Sequence, residues 1–204
     1  MDWFQLHSRE AVWGGIAIVA LAAGGWFYSR SKDLKAERAE KAYYQAQRSV
    51  GAGNLPLAES DLKKMIARYD GTTASIQARL QLAQLMYDQG KYQQGIDELK
   101  AAEEKFGDSK DFGSAVHMVM AAGYEQLKNY NAAGDQYEKA SKVARFDTDR
   151  QRHLAQAAMV YLQAGNKEKA KQIWTDLGAD SKGAVAGEAR VRLGELTATP
   201  APKS

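Results

Sequence analysis

Residues 87–109 read YDQGKYQQGIDELKAAEEKFGDS, and their spacing decides the fold. Gly90-Lys91 interrupts a helical pattern; Tyr92, Gly95, Leu99 and Ala102 then recur on one helical face, and Phe106-Gly107-Asp108 ends it. Ala83 lies twelve positions before Gly95. Two helices approach closely only where side chains are small, so Ala83 and Gly95 mark a crossing inside a helical hairpin, and Tyr92 fills the space beside it.

The same hairpin occurs on both sides of this stretch. Aligned with Ala83, Gly90, Tyr92, Gly95, Leu99 and Ala102 are three other sets: Ala46, Gly53, Leu55, Ala58, Leu62 and Met65; Ala121, Lys128, Tyr130, Ala133, Tyr137 and Ala140; and Ala158, Gly165, Lys167, Ala170, Trp174 and Leu177. Equivalent positions step by 37, 38 and 37 residues. The pattern is similar to the tetratricopeptide repeat, a helix-turn-helix with a 34-residue period. The extra residues fit in the connections between units, at 70–73, 106–109, 145–148 and 179–182. A last helix, 184–196, places Val185, Ala189, Leu193 and Leu196 on one face and closes the array as a terminal unit must. The tail from residue 197 is expected to be disordered.

Toward the N-terminus the character changes. Ala11 to Tyr28, AVWGGIAIVALAAGGWFY, has no formal charge and at about 1.5 Å per residue covers about 27 Å, close to a bilayer's hydrocarbon thickness. It reads as a transmembrane helix behind a short tail, residues 1–10, with Trp3, Phe4 and Trp13 at one end and Trp26, Phe27 and Tyr28 at the other suited to headgroup level. Ala20-Leu21-Ala22 resembles a signal-peptide cleavage site, but the apolar run continues past it and the preceding segment is not clearly basic. Gly14, Ala17, Ala20 and Gly24 lie near one helical face and would admit a second transmembrane helix. Arg30, Lys32, Lys35, Arg38 and Lys41 follow the span, which by the positive-inside rule leans toward a cytoplasmic repeat domain; Asp33, Glu37 and Glu40 are interleaved with them. No helix breaker occurs from Ser31 to Val50, so the span continues into, or is closely followed by, the first repeat helix.

The expected fold is therefore all-α: a transmembrane helix at 11–28, then a right-handed tetratricopeptide-like solenoid over 29–196. Its hairpins are expected near 33–69, 73–105, 112–144 and 149–178, with a capping helix at 184–196. Only three prolines occur in 204 residues, and no alternating β-branched run is long enough for a strand. The 28 basic and 25 acidic side chains are mixed along the chain, which argues against a nucleic-acid surface. The absence of cysteine excludes thiol chemistry and disulfides.

The chemistry of enzymes is not expected. His7, His117 and His153 have no second histidine at ligand spacing and read as surface or packing residues. Phe146-Asp147-Thr148-Asp149 lacks the glycine and glutamate of a calcium loop and reads as a turn with capping acids. Gly51-Ala52-Gly53-Asn54 lacks the lysine of a phosphate loop. No metal, cofactor or small-molecule substrate is implied. Stacked first helices instead leave a groove, and residues about one turn from each crossing position are expected to line it: Tyr43, Gln47, Gln77, Gln84, Tyr87, Met118, Glu125, Arg152 and Met159. That surface would accept an extended or helical polypeptide, without a Lys/Arg cluster to hold a terminal carboxylate.

A short N-tail, one apolar span, a charged helical connector and about four degenerate repeats together resemble the YfgM-like ancillary SecYEG translocon subunit family. The resemblance implies a bacterial inner-membrane protein with its repeats in the periplasm, working near the Sec translocon and periplasmic chaperones on emerging clients. It points to a membrane-tethered interaction module without catalytic function. The alternative is a scaffold subunit that contacts a larger membrane complex through its transmembrane helix.

Overall fold

A computed structural model of the chain describes residues 8–198, the side chains of residues 8–12 and Gly15 excepted. His7, with most of the N-terminal tail, and residues 199–204 of the C-terminal tail lie outside the described residues. Nine α-helices and no strands are found among those described: α1 (Ser8–Gly51), α2 (Leu55–Tyr69), α3 (Thr73–Asp88), α4 (Tyr92–Phe106), α5 (Gly113–Gln126), α6 (Tyr130–Val143), α7 (Asp147–Gln163), α8 (Lys167–Ala179) and α9 (Ala186–Thr197). Successive helices pack as antiparallel neighbours, so that α1/α2, α3/α4, α5/α6 and α7/α8 are the four hairpins and α9 closes the last.

Small residues set the crossings, as their spacing requires. Ala46, Ala83, Ala121 and Ala158 on the first helices are buried, as are Ala58, Gly95, Ala133 and Ala170 on the second. Between them the chain turns at Gly53, Gly90, Lys128 and Gly165, all at positive φ (71°, 74°, 57° and 78°). Asn54, Asn129 and Asn166 then cap α2, α6 and α8 by accepting the backbone N–H three residues on. Lys128 is the non-glycine residue held in that left-handed region, where a Cβ is strained. Lys128→Gly should stabilise the domain by about 1 kcal/mol. Differential scanning calorimetry should show a rise in Tm of about 2–4 °C.

Three apolar clusters follow one another along the array. The first joins α1, α2 and α3 around Leu62, Leu82 and Met86; the second centres on Ile96, Leu99 and Met120; the third on Tyr161, Trp174 and Leu177. Val185, Ala189, Leu193 and Leu196 of α9 belong to the third cluster. They supply the apolar cover that the last hairpin would otherwise lack.

Charged pairs link consecutive units at almost the repeat spacing. Lys105 reaches Asp70, Lys139 reaches Glu103 at 2.7 Å, Arg145 reaches Asp111 and Lys169 reaches Asp135 at 3.1 Å, each spanning 34–36 residues. Exposed pairs of this kind add little stability singly; their common spacing repeats one kind of contact between successive units. The Lys105 hydrogen bond, opposed by partial burial and aided by Arg79, holds the Asp70 carboxyl below its ordinary value. A depressed carboxylate contributes stability above its unfolded pKa, about 4, and loses it as pH falls through the folded value. Thermal melts should therefore hold level from neutral pH down to about 5 and drop below about 4. In Asp70→Asn the acid-side drop should shrink.

Helix α1 runs unbroken for 44 residues, and its buried positions in the solenoid begin at Ala39. The transmembrane helix expected over Ala11–Tyr28 is not established by the fold. Among the described residues no helix is long and apolar enough to cross a membrane, while Ala11, Val12 and Gly15 of the expected span are among those whose side chains are not described. Within that stretch the described side chains from Trp13 to Tyr28 are exposed, Leu21 at 77% and Trp26 at 69%.

Candidate functional site

The first helices of the hairpins form the inner layer of the array. Helix α1 touches α3 and α3 touches α5, while the second helices make no comparable contact with one another. Between α5 and α7 the close side-by-side packing ceases, and a cleft of about 420 Å³ opens there. Ser114 and Met118 from α5, Arg152 and His153 from α7, Lys110 from the connection before α5, and Arg145 and Phe146 from the connection before α7 line it.

Local structure explains the placement. Asp147 and Asp149 sit in the first turn of α7, where the helix dipole favours negative charge. They do not cap the helix through a side-chain hydrogen bond, as the sequence had suggested; Asp147 accepts from Arg150 Nε at 3.2 Å and Asp149 from Arg152 at 3.1 Å. Arg145 pairs with Asp111 across the cleft mouth. His153 lies within 3.0 Å of Ser114 Oγ and is buried, so it joins the two walls. His117 is also a packing residue, with Nδ1 2.7 Å from Gln136 Oε1 and Nε2 3.2 Å from the Gly107 carbonyl. No group of three or more acidic or histidine side chains placed to hold a metal ion occurs among the described residues.

Of the groove residues expected from sequence, Met118 and Arg152 meet in this cleft. Tyr43 and Gln47 share a shallow depression on α1 beside exposed Tyr44. Gln77 is half-buried; Gln84 and Met159 stand exposed on α3 and α7, Gln84 hydrogen-bonded to Asp88. One expectation needs correction. Tyr87 is buried, its hydroxyl donating to the Val119 carbonyl at 3.1 Å; its ring occupies the space left by the missing Cβ of Gly95 and Gly123. Glu125 accepts from the Tyr137 hydroxyl at 2.6 Å, which ties it to the α5/α6 hairpin.

The cations of the cleft are largely paired within it, Arg145 with Asp111 and Arg152 with Asp149. Lys110, Arg145 and Arg152 come from three elements to one cleft, against Asp111 and Asp149. Phe146, whose sequence context predicts only a turn, stands 62% exposed at the rim. A phenylalanine where two of the other connections carry Gly-Thr or Asp-Ser was the available signal.

An all-α array of hairpins with an open cleft on its inner helices is the architecture of a repeat-type protein-interaction module. The chain belongs to the tetratricopeptide repeat-like domain family, which it matches over residues 1–175. Its fold is similar to a tetratricopeptide repeat protein from Parabacteroides merdae, at 19% identity and TM-score 0.59, covering 78% of this chain and 60% of that one. It is also similar to the nearly identical TPR-like repeats described as a kinesin light chain from Podospora anserina, at 15% identity and TM-score 0.57, covering 78% of this chain and 85% of that one. At these identities the likeness concerns fold alone. No curated protein matches the chain.

Proposed function

We propose that this protein is a membrane-anchored interaction module whose α5/α7 cleft binds polypeptide segments at a bacterial inner membrane, near the Sec translocon and periplasmic chaperones. The observation that carries the binding half is the cleft itself: Met118 and Phe146 offer apolar surface, and Arg152, Arg145 and Lys110 surround it. Anchoring is supported by the uncovered apolar side chains from Trp13 to Tyr28, a continuous exposed apolar surface of the kind that marks a membrane or protein contact. The translocon, the chaperones and the periplasmic placement come from the family resemblance. The tether raises the local concentration of a weak binding surface where chains emerge, so modest affinity suffices.

Photo-crosslinkers at Met118 and Arg152, in intact membranes, test this reading. Adducts to translocon subunits or to exported chains should form during active export and vanish when export is halted, with none from exposed Lys171 on α8. Equal labelling from all three positions would overturn it.

The scaffold reading is favoured by one observation. A Cβ added at Gly14 or Gly24 would meet nothing within 4 Å, and Ala17 and Ala20 are exposed on the same helix, so this face is open to a second helix. Ala17→Leu with Ala20→Leu and Gly24→Leu should then abolish co-purification with the membrane complex, while cleft substitutions should leave it intact.

A further inference from the structure

The charges after Tyr28 are interleaved in sign along the sequence but separate around the helix. At about 100° per residue, Arg30, Lys32, Lys35, Arg38 and Lys41 occupy roughly 200° of the circumference of α1, and Asp33, Glu37 and Glu40 share part of the remaining arc. Lys41 pairs with Glu37 at 2.8 Å. Arg30, Lys32, Lys35 and Arg38 form no ion pair among the described residues.

The connection between α2 and α3 docks on this cationic face, held by Lys35 Nζ donating to the Asp70 carbonyl at 2.8 Å. A cleft is left on each side. One, of about 380 Å³, is lined by Phe27, Leu34, Arg30, Arg38 and Arg68. The other, of about 430 Å³, is lined by Tyr28, Lys32, Lys35, Thr72 and Thr73. Neither is lined by a carboxylate-bearing residue. Each has an aromatic ring, Phe27 or Tyr28, at the end nearer the apolar stretch, a residue type suited to headgroup level; beyond it the first holds Arg30, Arg38 and Arg68 around Leu34 and Tyr69, and the second Lys32, Lys35, Thr72 and Thr73.

We propose that these two clefts hold the phosphates of anionic phospholipids and that the α2–α3 connection thereby rests on the membrane surface. The proposal rests on the anchoring proposed above. A cationic collar immediately outside an apolar helix is attracted to anionic headgroups, and unpaired guanidinium groups suit phosphate oxygens. The collar gives the positive charge after Tyr28 a use on whichever side of the membrane the repeats lie. It also fixes the tilt of the repeat array, because a second point of contact joins the helix at the surface.

The chain contains no cysteine, so a single Thr73→Cys supplies a unique fluorophore site, with Asp176→Cys at the far end of the array as its control. The full-length protein is reconstituted into phosphatidylcholine vesicles with or without phosphatidylglycerol, each carrying a headgroup-linked quencher. Quenching at position 73 should increase more than about twofold with phosphatidylglycerol and return to the neutral-vesicle level when Arg30→Gln, Arg38→Gln and Arg68→Gln in the first cleft are combined with Lys32→Gln in the second. Position 176 should not respond. The three arginines are exposed, and circular dichroism checks that the variant keeps its helices. Equal quenching at 73 in both vesicles, with the protein still floating with them, would overturn the collar and leave the anchor standing. Failure to float with either vesicle would overturn the anchor, and the collar with it.

Discussion

Gly95→Ala should lower the stability of the repeat domain by about 2 kcal/mol, although alanine in a helix interior is ordinarily better than glycine by about 1 kcal/mol. A Cβ at residue 95 would lie 2.4 Å from Tyr87 Cε1 and 3.0 Å from the Ala83 carbonyl oxygen. The ring cannot swing away. On its other side a Cβ at Gly123 would lie 2.3 Å from the Tyr87 hydroxyl, and that hydroxyl is held by the Val119 carbonyl. The helices must part instead, and with them the junction of the second and third units. Gly187→Ala and Gly194→Ala in α9 provide the control, because a Cβ there meets nothing within 4 Å; each should raise stability by about 0.5–1 kcal/mol. Urea unfolding measures all three. A double-mutant cycle with Tyr87→Leu should return part of the loss at residue 95, and additive effects would show that the ring is not the obstacle.

That tyrosine also shows where sequence reasoning stops. The small-residue register was legible because each crossing position repeats at nearly constant spacing, and the helix ends were legible because Asn, Gly and Asp mark them. Tyr87, standing one turn after Ala83, was assigned to the groove by the same periodic rule. Its burial depends on two missing Cβ atoms, and one of them, at Gly123, belongs to the next unit and to no repeated position. A signal existed even so: Tyr87, Tyr124 and Tyr161 recur at steps of 37 residues, and Tyr161 likewise fills the space beside a glycine, Gly134. The cleft was half legible. Met118 and Arg152 followed from the register, whereas Lys110 and Arg145 lie in connections about one unit apart and meet only after the hairpins stack. The separation of charge after Tyr28 was present in the sequence but hidden by reading it linearly.

Phe146→Ala combined with Arg152→Ala should weaken binding of exported polypeptide more than tenfold while leaving Tm nearly unchanged. Aromatic and arginine side chains are the types whose truncation in an interface most often costs 2 kcal/mol or more, and about 1.4 kcal/mol already corresponds to tenfold. Both side chains are well exposed, Phe146 at 62% and Arg152 at 60%; neither supports the core, and the loss would be one of recognition. Arg152 is held at the cleft by Asp149 at 3.1 Å, so its guanidinium is positioned before a partner arrives and little further ordering is needed. The measurement is adduct yield from a photo-crosslinker at Met118 during export, alongside a thermal melt of each variant. Gln84→Ala and Met159→Ala, expected groove positions outside the cleft, should change the yield less than about twofold. Tyr87 is unsuitable as a probe, because its replacement would disturb the core and lower binding for the wrong reason. If Gln84→Ala and Met159→Ala abolish the adducts while the Phe146 and Arg152 pair does not, the polypeptide runs along exposed first-helix positions and the α5/α7 cleft is not its seat.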